Sequence, residues 1–186
     1  MRLSRSTLSR TIAATIGVVG LFTVAACSDT GTDDNTLNAT INDAEGTALG
    51  TAEFEEVDGA VRIQVETTGM EPGFYGLHIH GTGLCEADGD APFTSAGGHL
   101  GGDEADHPDH AGDLPQLLVK NSGEAVLTFE TDRLTLSDLE DAALMIHTDP
   151  DNFANVPERY AEDGVDGDTL ATGDAGSRLG CAVIGN

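Results

Sequence analysis

The chain has 186 residues, with 8 Lys and Arg against 33 Asp and Glu, a formal charge of −25, 24 Gly, 3 Cys and no Trp. The length suits one domain. The acidity excludes a nucleic-acid binder, which needs a basic face to displace counterions, and the 4% aromatic content removes the usual platforms for stacking bases. Met1 to Arg10 carries Arg2, Arg5 and Arg10 and no acid, and Thr11 to Ala26 is apolar. That is the layout of a secretory signal, and the apolar run is shorter than the ~20 residues a spanning helix needs.

Val24-Ala25-Ala26-Cys27 resembles the bacterial lipobox. The resemblance implies cleavage after residue 26, lipidation of Cys27, and a protein held at the outer face of the cytoplasmic membrane by its lipid alone. An ordinary signal cut after Ala26 is the alternative. Losing residues 1–26 removes three Arg and no acid, so the mature charge is −28. Ser28 to Asn35 is polar and acidic, and residues 27–36 are expected to form a flexible tether before a domain spanning 37–186.

Short strands follow. Leu37 to Asn42, Leu49 to Val57 and Ala60 to Thr67 are the first three, with Asp58-Gly59 as a tight hairpin between the last two. Alternation puts Val61, Ile63 and Val65 on one face and Arg62, Gln64 and Glu66 on the other. Phe74 to His80 is the fourth run. Leu114 to Lys120 and Glu124 to Thr131 flank the turn Asn121-Ser122-Gly123, and Ala142 to His147 and Gly180 to Ile184 complete the set. Ser137 is the expected cap of one helical turn at Asp138 to Ala142, with Glu140 as its capping partner. The fold class is all-β, a sandwich or barrel. Gly81 to Asp113 and Asp149 to Ser177 are too long for idle loops and are expected to be functional.

All six histidines, His78, His80, His99, His107, His110 and His147, fall between residues 78 and 147. In Leu77-His78-Ile79-His80 the apolar pair turns to one face and the His pair to the other, with the two His Cα atoms ~6.6 Å apart. Leu144-Met145-Ile146-His147 repeats that logic. His99, His107, His110 and Asp113 form a second group. A His₃Asp set suits tetrahedral zinc and an imidazole-rich set suits copper. An acidic, His-containing surface loop without a metal is the plainer alternative. With Cys27 set aside, Cys85 and Cys181 remain as an even pair in an exported chain, a disulfide in preference to two buried thiols.

The combination GFYGLHIHGTGLC, SAGGH, HAGDL, MIHTDPDN and TGDAGSRLGCAVIG resembles the copper/zinc superoxide dismutase family in its bacterial exported form, from about Ala39 to Asn186. The resemblance implies an eight-stranded antiparallel Greek-key barrel with two long functional loops. It implies copper held by His78, His80, His99 and His147, and zinc held by His99, His107, His110 and Asp113, with His99 bridging the two. It implies Arg178 as the group that guides the superoxide anion, and His99 as a ligand that also delivers a proton. Cys85 and Cys181 match the family disulfide, and Asp151 matches a carboxylate linking a copper His to a zinc His. The reaction implied converts two superoxide anions and two protons into O₂ and H₂O₂ by cycling Cu(II) and Cu(I), protecting the cell envelope.

One departure stands out. Only Pro108 and Asp109 separate His107 from His110, a shorter segment than is usual in the family. It implies a displaced His107 and a weakened zinc site, with Gly101-Gly102 giving the loop freedom to compensate. A non-enzymatic copper-binding or copper-delivery lipoprotein is the alternative function. Exposed edge strands and Asp151 to Tyr160 are candidate surfaces for a homodimer. Asp163 to Asp168 lacks the spacing of an EF-hand.

Overall fold

The computed structural model describes residues 35–87, 89 and 91–185. The chain divides into Met1–Gly31 and Thr32–Asn186, and everything described lies in the second unit. The signal, Cys27 and the tether as far as residue 34 lie outside the described residues.

β1 (Thr36–Asn42), β2 (Ala48–Val57) and β3 (Ala60–Thr67) form an antiparallel meander. Asp58 and Gly59 have φ of 51° and 84°, and Val57 pairs with Ala60 across them, so this two-residue turn is the hairpin the sequence announces. Val61, Ile63 and Val65 are buried as their alternation requires. The expected run from Phe74 to His80 is two strands, β4 (Gly73–Tyr75) and β5 (Leu77–His80). Gly76 divides them. Its N–H donates to Asp149 O at 2.9 Å and its carbonyl accepts from His147 N–H at 2.9 Å, and a Cβ there would lie 2.6 Å from the Ala175 Cβ.

β6 (Leu117–Val119), β7 (Ala125–Thr131), β8 (Ala143–His147) and β9 (Arg178–Val183) follow. The large sheet runs β5-β8-β9-β1-β2-β3-β7, and β4 pairs with β6. The Lys120 N–H donates to Glu124 O at 2.9 Å in the turn between β6 and β7, and so ties the small sheet to the large one. Because β4 and β5 are two halves of one stave, the nine strands among the described residues make an eight-staved antiparallel barrel. β7 lies beside β3 and β8 beside β5, so the β3-to-β4 and β7-to-β8 connections cross over as in a Greek key.

Two helical pieces depart from the sequence reading. α1 spans Leu136–Leu139, and Thr135 is its N-cap, not Ser137. The Asp138 carboxylate, not Glu140, accepts the Thr135 N–H at 2.7 Å. α2 (Gly167–Thr172) lies in the second loop, where no helix was expected. Its N-cap Asp166 accepts the Thr169 N–H at 2.9 Å, and Gly173 ends it at φ 60°. The barrel interior is filled by Ile41, Phe54, Ile63, Leu77, Ile79, Leu117, Leu144 and Ile146, all fully buried. Burial of each such side chain contributes ~1.5–3 kcal/mol.

Candidate metal centre

β5 and β8 pair antiparallel, with Leu77 opposite Ile146 and Ile79 opposite Leu144. Those four side chains enter the core, which sends His78, His80 and His147 to the other face. There the 81–113 loop covers them. Ile79 N–H donates to Gly112 O, Leu100 N–H donates to Ile79 O, and Gly112 N–H donates to Leu100 O, at 2.8, 2.8 and 2.9 Å. The loop therefore lies along the free edge of β5 as a makeshift strand, and places His99 opposite His80 and Asp113 opposite His78. A Cβ on Gly112 would fall 2.3 Å from Ile79 O, so only glycine permits this approach.

All six histidines and both loop carboxylates, Asp113 and Asp151, are buried. His80 Nδ1 donates to Gly97 O at 2.9 Å and His147 Nδ1 donates to Gly176 O at 3.3 Å. Each ring thus keeps a lone pair on Nε2, and the two Nε2 atoms lie 3.4 Å apart with no proton between them. His78 Nε2 is engaged by Asp151 Oδ2 at 2.8 Å, while its Nδ1 is buried without a partner. His78, His80, His99 and His147 each bring a nitrogen within 4.8 Å of the others. Such convergence of lone pairs is repulsive unless a cation sits among them, and four imidazoles suit copper.

A second cluster adjoins it. His99 Nδ1 lies 2.8 Å from Asp113 Oδ1, and His110 Nδ1 lies 3.3 Å from His99 Nδ1 and 3.1 Å from Asp113 Oδ2. His107 Nδ1 is 3.0 Å from Asp113 Oδ2 yet makes no hydrogen bond. These four donors fit tetrahedral zinc. The compact grouping by distance takes His78, His99, His107 and Asp113. Asp151 engages His78 Nε2, so His78 has one unpartnered nitrogen, Nδ1, for the first cluster, and His110 is the better fourth donor on this side. The sequence reading implied a displaced His107, whereas the structure keeps its Nδ1 3.0 Å from Asp113 Oδ2 despite the short segment. His107 N–H donates to Leu170 O at 2.7 Å, its Nε2 meets Asp151 Oδ1 at 2.8 Å, and its ring stacks on Phe153. Asp151 therefore spans the two clusters, one oxygen to His78 and one to His107.

Burial pushes His80, His147 and His99 down to about 2, 3 and 4. Those rings are neutral and ready to bind a metal at neutral pH. Burial also opposes charge on His107, but Asp113 and Asp151 outweigh it and raise the group to about 9. Burial would raise Asp113 and Asp151, yet their histidine partners hold both below the usual carboxylate range.

Arg178 stands on β9 opposite His147, and its guanidinium donates to the carbonyls of Phe93 and Gly97. It lines one cavity with His80, His99, His147, Asp168 and Asp174. A Cys85–Cys181 disulfide, with Cα atoms 5.7 Å apart, pins the start of the first loop to β9. The sequence reading did not find the carbonyls of Phe93, Gly97 and Gly176, because a backbone acceptor has no side-chain signature. Gly173 was also missed. A Cβ there would meet Asp151 Oδ1 at 2.1 Å and His107 Nε2 at 2.4 Å, and the glycines of TGDAG were the only available signal.

An antiparallel barrel with a four-imidazole cluster fused to an imidazole–carboxylate cluster, the first open to a cavity that holds a guanidinium, defines a two-metal protein suited to redox chemistry on a small anion. Residues 48–184 match the copper/zinc superoxide dismutase (SODC) family, and the chain belongs to that family. The Cu-Zn superoxide dismutase of Mycobacterium tuberculosis is 42% identical over 168 residues, covering 81% of this chain and 70% of the relative. The clock protein EA4 superposes with a TM-score of 0.67 at 27% identity, over 81% of this chain and 94% of that one. The Cu/Zn superoxide dismutase of Brucella abortus shares the fold, with a TM-score of 0.65 at 24% identity, over 80% and 98%.

Proposed function

We propose that this chain is an exported superoxide dismutase in which His78, His80, His99 and His147 hold copper and His99, His107, His110 and Asp113 hold zinc. The observation that carries the assignment is the 3.4 Å approach of two lone-pair nitrogens, His80 Nε2 and His147 Nε2, beside the partnerless buried His78 Nδ1. Bound copper supplies the one-electron cycling that turns two superoxide anions and two protons into O₂ and H₂O₂.

The chain's own residues do the rest. Gly97 O and Gly176 O fix the tautomers of His80 and His147, so both present Nε2. Asp113 holds His99 through Nδ1, which leaves Nε2 on the copper side as the atom that can hold a proton and pass it to the reduced substrate. Arg178, braced by two carbonyls, offers a fixed positive charge in the cavity where a small anion arrives. Asp151 couples the orientation of His78 to that of His107.

The disulfide belongs to oxidising compartments and supports export. We further propose cleavage after residue 26, lipidation of Cys27, a tether over 27–36 and the dismutase domain over 37–186. Mass analysis of the membrane fraction tests the lipid. The homodimer stays a proposal, tested by sedimentation. The central test is metal content per chain, with superoxide removal by the loaded protein set against His80→Ala and Arg178→Ala. Loss of copper in the first and of rate in the second is expected. Full activity in both would overturn the assignment.

A further inference from the structure

Phe93 has a backbone that a bulky residue rarely adopts, φ 64° and ψ 14°, and yet its side chain is only 2% exposed. A left-handed conformation at a non-glycine position costs on the order of 1 kcal/mol or more and persists only where the surroundings impose it. Here they do. The ring packs into a small apolar cluster with Ala96, Ala143, Met145 and Cys181, separate from the barrel core. The Phe93 N–H donates to Glu86 O at 2.7 Å, and its carbonyl accepts Ala96 N–H at 3.1 Å. The same carbonyl accepts the Arg178 guanidinium.

We infer that Phe93 is a positioning residue for superoxide capture: its buried ring holds the left-handed backbone that aims its carbonyl at Arg178 and so fixes the guanidinium at the cavity. This rests on the assignment of Arg178 as the group that receives the anion. Half the bracing of Arg178 comes from Gly97 O, which also holds His80. The Phe93 carbonyl is the brace that serves Arg178 without touching a metal-facing ring. Removing the ring should therefore loosen anion capture while copper stays bound.

The test uses the disulfide-intact, copper- and zinc-loaded protein. Phe93→Ala removes the anchor, Phe93→Gly removes it while relieving the left-handed cost, and Phe93→Leu keeps apolar fill. At full copper content, the Ala and Gly variants should lose roughly tenfold in kcat/KM for superoxide and bind azide correspondingly more weakly, with Leu close to the parent. Adding Phe93→Ala to Arg178→Ala should cost nothing more. Parent-like rate and azide affinity in both the Ala and Gly variants would overturn the inference. So would an equal further loss in the Arg178→Ala background, since the ring would then act through the fold. If Arg178→Ala alone leaves the rate unchanged, the Arg178 assignment fails first, and the role of Phe93 fails with it.

Discussion

Asp151 concentrates more consequence than any other side chain outside the two donor sets. One oxygen meets His78 and the other meets His107, and the second also accepts the Phe153 N–H at 2.7 Å. Asp151→Asn turns one acceptor into a donor and breaks one of those ties. Zinc retention against a competing chelator is expected to fall about 10–100-fold, with a smaller effect on copper. Gly173→Ala should act similarly, since its methyl would occupy the space of Asp151 Oδ1 and the backbone there is left-handed at φ 60°. The metal-free protein carries a pH signature. His80, His147 and His99 stay neutral when folded down to about 2, 3 and 4, whereas the unfolded chain protonates each near 6.5. Below 6.5 the unfolded state binds more protons, so stability falls as pH drops. Asp113 and Asp151 add to that loss below 3.8. His107 works the other way: its contribution is complete below 6.5 and is lost as pH rises through about 9. Urea unfolding of the metal-free protein should show a maximum near neutrality. A midpoint that climbs steadily into acid would mean these rings are not buried neutral.

Elements, rather than single residues, decide how the loops are held. The disulfide closes a separation of 96 residues and fastens the first loop to β9. Replacing Cys85 and Cys181 together by Ser is expected to cost ~2–5 kcal/mol in urea unfolding. Gly112→Ala should lower the melting temperature and copper retention together, because the added methyl strikes Ile79 O and lifts the loop from β5. The strands and His78, His80 and His147 were legible because period-two alternation is a strong signal: Leu77, Ile79, Leu144 and Ile146 point inward, so their His neighbours must point out. The break at Gly76 was not legible, since it depends on Asp149 and Ala175 arriving from far along the chain. α2 was hidden for a different reason. Its six residues have no apolar stripe, and its Asp166 cap and Gly173 stop sit among so many Asp and Gly that neither stood out. The α1 cap went to Thr135 because Asp138, not Glu140, falls three residues after the cap that forms.

Across the whole molecule, charge works against the substrate. The chain carries −25, and Asp168 and Asp174 line the cavity with Arg178. The repulsion on an anion is largely screened beyond ~8 Å at physiological salt, and it reaches farther as salt is removed. Superoxide removal is therefore expected to speed up as salt is added from low ionic strength. A rate that falls throughout would show that local attraction by Arg178 governs approach from the start. The covering of β5 has its own result at this scale. A bare strand edge is a template on which a second molecule can add a strand and begin a fibril. Here the chain supplies that neighbour itself, through Leu100 and Gly112, which both bond the Ile79 backbone on the edge away from β8. The stretch that gathers the histidines is thus also a guard against self-association, and releasing it would expose the rung where aggregation starts.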